Sequence, residues 1–258
     1  MGKRVDDLGN RMKKYEYITR THLVPRTPVI IRLDGRAFHT FTRGFRRPFD
    51  EILIKTMQET MKKLCENIQG CVLGYTQSDE ITLVLVDYQS LDVCGWFDYN
   101  IQKIASISAS MATLYFNRRF YDNIWENRNL PSDYLATLLN AEQRGAMFDA
   151  RVFNIPKEEV TNCILWRQND ATRNSIEMVG QAFFSHRELH GKSCSDIQDM
   201  LMERQGINWN NYPIHQKRGS CCVKVPTESG RSKWIVDLNI PIFKGEGRDY
   251  IESRINFE

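Results

Sequence analysis

Two short acidic segments, Asp34-Gly35 and Ser78-Asp79-Glu80, are where the residue types of this chain point to chemistry. Carboxylates brought side by side repel one another unless a cation lies between them. Their hard oxygens suit Mg2+, which keeps several waters and binds through one or two carboxylates together with substrate phosphates. Two such ions, about 3.5–4 Å apart, stabilise both the attacking and the leaving oxygen of an in-line phosphoryl transfer. Gly35 fits the same chemistry: without a Cβ its carbonyl can approach a metal, and the amides after it can approach a polyphosphate. On spacing alone, both segments also read as ordinary turns of the kind Gly, Ser and Asp favour.

Whether the carboxylates meet depends on the elements that carry them. The β-branched run Pro28-Val-Ile-Ile-Arg-Leu-Asp34 predicts a buried strand closing in a tight turn at Gly35. From Phe49 to Asn67, Ile52, Ile54, Met57, Met61 and Leu64 recur at helical spacing, with Asp50 and Glu51 near the positive end of the helix. Cys71–Thr76 and Ile81–Val86 predict a hairpin across Gln77-Ser-Asp-Glu80. A long helix is expected over residues 96–119, trimmed by Ala105, Ser106, Ser108, Ala109, Ser110 and Ala112 so that it can lie close to a sheet. Arg151–Ile155, stopped by Pro156, predicts a further strand. The resulting β-α-β-β-α-β order is the split βαβ arrangement of ferredoxin-like α+β folds, with an antiparallel sheet and packed helices. In such a sheet the first and third strands are neighbours, so Asp34 would face Asp79. We expect a single domain, 1–258, with its core near 28–156 and a helical and β appendage from 157 to 258 ending in a basic, Gly-punctuated tail.

Composition excludes other classes. Hydrophobic residues at 41% and charged residues at 26% argue against wholesale disorder. No uncharged apolar run approaches the roughly 20 residues of a membrane span, and the first residues lack an apolar signal core. Seven cysteines without a C-x-x-C pair predict reduced thiols and a cytoplasmic protein. The net charge of +3 conceals basic segments at 1–26, 32–47 and 217–233, which suggest a polyanionic partner. His186, His190 and Cys194 share helical spacing, but Gly191 interrupts them and no fourth ligand is evident, so a surface or packing role is expected. The five tryptophans read as core or interface anchors.

Taken in order, Ile31-Arg-Leu-Asp-Gly-Arg-Ala-Phe-His39, Gln77-Ser-Asp-Glu80, Phe148-Asp-Ala-Arg151 and Trp166-Arg-Gln-Asn-Asp170 resemble the successive motifs of the tRNA-His guanylyltransferase family, which includes the Thg1-like 3′–5′ RNA polymerases. Asn208-Trp-Asn-Asn211 and Lys217-Arg-Gly219 resemble its late segments, so the likeness runs from about 28 to about 225. It implies a polymerase-palm core and two Mg2+ ions bridged by Asp34 and Asp79 as the catalytic carboxylates, with the Gly35 carbonyl completing one shell. Arg36, Ala37, Phe38 and His39 would wrap the nucleotide, Ser78 and Lys103 would reach its phosphates, and Glu80 would support the site. Arg47 and Asp50 stand in the place of a K-P-N-D-like nucleotide segment. Arg151, Asn174, Lys217 and Arg218 are the candidate RNA-phosphate contacts.

The reaction so implied has the 3′-hydroxyl of an incoming nucleoside triphosphate attacking the 5′ end of tRNA, after ATP or GTP activates a 5′-monophosphate. Family members with strict specificity carry H-I-N-N-L-Y-N where this chain has Thr172-Arg-Asn-Ser-Ile-Glu-Met178, and a basic pair where it has Tyr99-Asn100. These departures favour template-dependent repair of 5′-truncated tRNA. Addition of a single G at position −1 of tRNA-His is the alternative, followed by a nucleotide cyclase and a non-catalytic RNA-binding module. The family also implies a homotetramer.

Overall fold

The computed structural model describes residues 7–127, 129–228 and 230–257; Lys3, Arg4 and Asp6 of the first basic segment lie outside them. The chain runs α1 (Asp7–Ile18), β1 (Val29–Gly35), α2 (Phe38–Phe41), α3 (Glu51–Asn67), β2 (Cys71–Gln77), β3 (Glu80–Leu85), α4 (Ile101–Glu126), α5 (Ser132–Arg144) and β4 (Phe148–Asn154). It continues through α6 (Val160–Phe183), α7 (His186–Leu189), α8 (Cys194–Gln205), α9 (Ile214–Arg218), β5 (Ser220–Pro226), β6 (Ser232–Asp237) and α10 (Asp249–Ile255).

The strands form one antiparallel sheet in the order β4-β1-β3-β2-β5-β6. Alternation along β1 explains its central place: Val29, Ile31 and Leu33 join one core with α3, α4 and α5, while Ile30 joins another beneath α6 and α10. A strand buried on both faces reads as the continuous apolar run seen in the sequence. Helix α3 starts where Asp50 caps it, its carboxylate accepting from the Ile52 and Leu53 amides. Helix α4 turns Ile104, Ser108, Ala112, Phe116, Phe120 and Ile124 inward. Of the small residues expected to let it approach the sheet, Ser108 and Ala112 do so, whereas Ser106 and Ser110 face solvent.

The structure differs from the sequence reading at the second long helix, before β4 and in the tail. The second long helix begins at Ile101, because Phe97, Asp98 and Tyr99 all take left-handed backbone (φ 50, 52 and 54°) and Asn100 caps the helix through the Lys103 amide. Helix α5 intervenes before β4, which starts at Phe148. The tail supplies two strands that extend the same sheet: β5 pairs with β2. All seven cysteines are free thiols. Among the described residues no helix is long and apolar enough to cross a membrane.

Candidate active site

Pairing of β1 with β3 sets Asp34 opposite Glu80, and the Gly35 amide donates to the Asp79 carbonyl at 3.1 Å. The end of one strand is thus clasped onto the two-residue turn of the hairpin. Ser78 sits in that turn at φ 54° and its Oγ donates to Asp79 Oδ1 at 3.0 Å, while Thr76 Oγ1 donates to the Glu80 carbonyl at 2.8 Å. Burial pushes the Asp79 carboxyl above its ordinary value; hydrogen bonds from the backbone and Ser78 pull it down, and the Asp34 charge adds to the rise. Asp34 has Arg151 Nη1 at 3.7 Å from Oδ2, a guanidinium also 3.9 Å from Asp149. Two neighbouring hard-oxygen carboxylates are the donor set a divalent cation fits, and the Gly35 carbonyl belongs to the same turn.

Glu80 lies across from Asp34 and is taken up by arginines. Arg167 on α6 holds it bidentately (Nε–Oε1 2.6 Å, Nη2–Oε2 2.8 Å) and Arg32 Nε lies 3.8 Å from it. Burial pushes the Glu80 carboxyl up and the Arg167 guanidinium pulls against it. Arg167 also grips Asp170 at 2.9 Å, and Arg173 donates to the far side of Asp170.

A cavity of about 730 Å3 opens in front of the carboxylates, lined by Ala37, His39, Ser78 and the arginines of the loop at 43–47. The loop is held from below. Asp50 accepts from the Arg46 amide at 3.1 Å and from the Tyr134 hydroxyl, and Arg46 lies 4.4 Å over the Tyr134 ring. A Cβ at Gly35 would lie 2.2 Å from the Phe38 ring, so only glycine permits this turn to pack.

The structure gathers Asp34, Gly35, Ala37, Phe38, His39, Arg47, Asp50, Ser78 and Asp79 around one cleft. Two of these are also engaged below it, and the remaining residues lie outside its lining. The Phe38 ring is buried against Phe116 and Phe148. Asp50 is buried and its carboxylate is taken up by the α3 cap, Arg46 and Tyr134, so it shapes the loop. The Arg36 amide is tied to Met147 at 2.8 Å and its side chain is exposed outside the cleft. Lys103 lies apart from this cleft. It lies ten residues before Thr113, whose hydroxyl meets the Phe148 amide beside Gly35, a rise of about 15 Å along the helix. It borders a separate groove with Arg20. Lys217 is buried, its Nζ donates to the Asn210 carbonyl at 2.6 Å, and it lies 5.3 Å over Trp209. Arg218 flanks the same ring at 5.7 Å, and Asn174 is half-buried on α6. Arg151 stands beside Asp34 itself. Among the described residues no cluster of three His, Cys, Asp or Glu side chains could hold a metal, His186, His190 and Cys194 included. The sequence reading missed Asp149, Met178 and Gln181; Asp149 lay within a quoted motif, but the α6 pair reach the cleft only by tertiary packing.

Comparison with known proteins places the chain among relatives of one family. A sequence model for tRNA-His guanylyltransferase (Thg1) matches residues 9–156. The structure of a bacterial tRNA-His guanylyltransferase (Thg1)-like protein in complex with ATP superposes with a TM-score of 0.85 at 42% identity, covering 98% of this chain and 100% of that one. The corresponding GTP complex gives 0.78 at 39% identity, with the same coverage. The tRNA-His guanylyltransferase of Debaryomyces hansenii is 27% identical over 228 residues, 82% of this chain and 80% of its own length.

Proposed function

The chain belongs to the tRNA-His guanylyltransferase family, which makes it a nucleotidyltransferase, and from that premise we propose that it adds nucleotides to the 5′ end of truncated tRNA by copying the opposite strand. The observation that carries this reading is the Gly35–Asp79 clasp, which brings two acidic turns together at the mouth of a cleft rimmed with basic side chains. Asp34, Asp79 and the Gly35 carbonyl would hold the two Mg2+ ions. Bound there, the metal supplies charge neutralisation and a lowered pKa for the attacking 3′-hydroxyl. His39 and Arg47 position the triphosphate of ATP or GTP, Ser78 holds the Asp79 carboxylate in place, and Arg151 orients Asp34. Glu80, gripped by Arg167, fixes the strand that follows Asp79. We further propose that residues 28–156 are a ferredoxin-like polymerase palm, with 157–258 appended to it, and that the enzyme works in the cytoplasm as a homotetramer.

For the choice between repair and strict G addition, the segment Thr172–Met178 argues for repair. Ser175 is buried, accepting from the Trp209 indole at 3.2 Å and donating to the Lys217 carbonyl at 3.1 Å, so it packs the corner where a strict enzyme's motif has asparagine. The test is incubation with Mg2+, all four nucleoside triphosphates and a tRNA lacking its first 5′ nucleotide, resolved at single-nucleotide length. Repair predicts a restored nucleotide that follows the facing base when that base is changed. Addition of G whatever base it faces, on tRNA-His alone, would establish the alternative that the family name carries.

A further inference from the structure

Beyond Arg47 and Gln181 the active-site cleft continues into a second cavity of about 580 Å3, enclosed by the end of α6, the short α7 and the start of α8. Its size is that of a small-ligand cleft. The floor is apolar, made by Phe184, Leu189 and Ile197. The rim carries Arg47, His186, His190 and Lys192 against the lone carboxylate of Glu177.

This segregation of charge is built by the local structure. The acidic residues of the segment are engaged elsewhere. Glu188 and Asp196 close capping boxes with Ser185 and Ser193, and Glu188 also lies 3.6 Å from Arg204. His186 and His190 stand one turn apart with ring centroids 6.1 Å from each other. Gly191, at φ +73°, turns the chain so that the Lys192 amide bonds back to the Leu189 carbonyl at 3.0 Å, which leaves Lys192 on the same rim. Among the described residues lining the cavity, the aromatic one besides the imidazoles is Phe184, and it is buried. Such a site offers charge-assisted hydrogen bonds to phosphate and no exposed benzenoid ring on which a base would stack.

We propose that this cavity is a phosphate subsite for the RNA strand: it holds backbone phosphates next to the reacting 5′ end while the carboxylate cleft holds the reacting groups. It rests on the reading of the enzyme as one that acts at an RNA end. Contacts of this kind set the register of the strand without reading its sequence, which suits an enzyme that must accept ends of different length.

The test measures binding by the full chain, apart from turnover, with a tRNA lacking its first 5′ nucleotide as one probe and ATP as the other. Lys192→Glu and the double variant His186→Ala/His190→Ala weaken tRNA binding several-fold, Lys192→Arg restores it, and ATP affinity is unchanged. Each lost phosphate contact flattens the slope of log K against log salt by about 0.7–0.9. All three side chains are exposed, so the variants keep the fold. Unchanged tRNA affinity and salt slope in both variants would overturn the subsite. So would a loss of ATP affinity with tRNA binding intact, which would assign the cavity to a nucleotide's phosphate tail. A wild-type protein that binds the tRNA without extending it would refute the proposed function and leave the subsite open to measurement. A wild-type protein that extends it, beside a Lys192→Glu variant that binds as tightly, would refute the subsite alone.

Discussion

Asp79 must carry a negative charge where burial and the Asp34 carboxylate both resist it. Because its folded pKa is raised above the ordinary 3.8, the folded state holds a proton that the unfolded chain gives up. Metal-free stability therefore falls as pH rises from about 4 through the raised value and stays low beyond it. Asp79→Asn keeps the shape without the charge. It should stabilise the metal-free protein by ~0.5–2 kcal/mol at pH 7, a gain that disappears in acid, while lowering nucleotide addition by at least about 10²-fold. Calorimetry at two pH values checks the first half; an Asn variant less stable than wild type at pH 7 would contradict it. Millimolar Mg2+ should raise the melting temperature of the wild type and leave that of the variant unmoved. Gly35→Ala tests the neighbouring constraint. Its methyl would sit 2.2 Å from a Phe38 ring already packed among Phe116 and Phe148, so overpacking costs about 1–3 kcal/mol in denaturant titration. Asp34 and Asp79 were legible in the sequence because an acidic residue at a turn after an apolar run names its own place. The burial of Lys217, the saturation of Asp50 and the inward ring of Phe38 were not, since each depends on what tertiary contact puts beside it.

At the scale of elements, the contact that decides whether the site holds its shape is α6 against β3. Arg167 and Glu80 face each other with side chains only 11% and 14% exposed. Removing one partner of such a pair strands the other charge, so Arg167→Ala should cost about 3–5 kcal/mol in urea unfolding. Adding Glu80→Gln to Arg167→Ala should recover part of that loss, because the stranded carboxylate is then gone. Additive losses in the double variant would mean that the two side chains do not act as a pair. The Trp166-Arg-Gln-Asn-Asp170 motif was visible as a motif, yet nothing in its spacing told that it reaches the strand behind Asp79. The strands and the hairpin were legible through short apolar, β-branched runs and turn residues, which are local signals. The left-handed stretch at Phe97–Tyr99 and the pairing of β5 with β2 are set by neighbours far away in the chain and left no periodic trace.

For the whole molecule, helix α4 shows two faces of different character. One buries Ile104, Ser108, Ala112, Phe116 and Phe120; the other leaves Ile107, Leu114, Tyr121 and Trp125 between 39% and 51% exposed, in line along one stripe. Scattered apolar residues on a surface need no explanation, but a row of them along 26 residues of helix does. The proposed tetramer would cover it. Light scattering on the wild type should then report four chains, and Leu114→Glu with Trp125→Glu should yield smaller species, because two charges are placed where an apolar seam must close. The inward face is untouched by either change, and the carboxylate cleft lies within one chain, so the dissociated variant should still bind ATP. Extension of tRNA should fall further than ATP binding if one RNA lies across more than one subunit. A variant that dissociates yet extends tRNA at the wild-type rate would make the assembly irrelevant to catalysis; one that remains tetrameric would move the interface off α4.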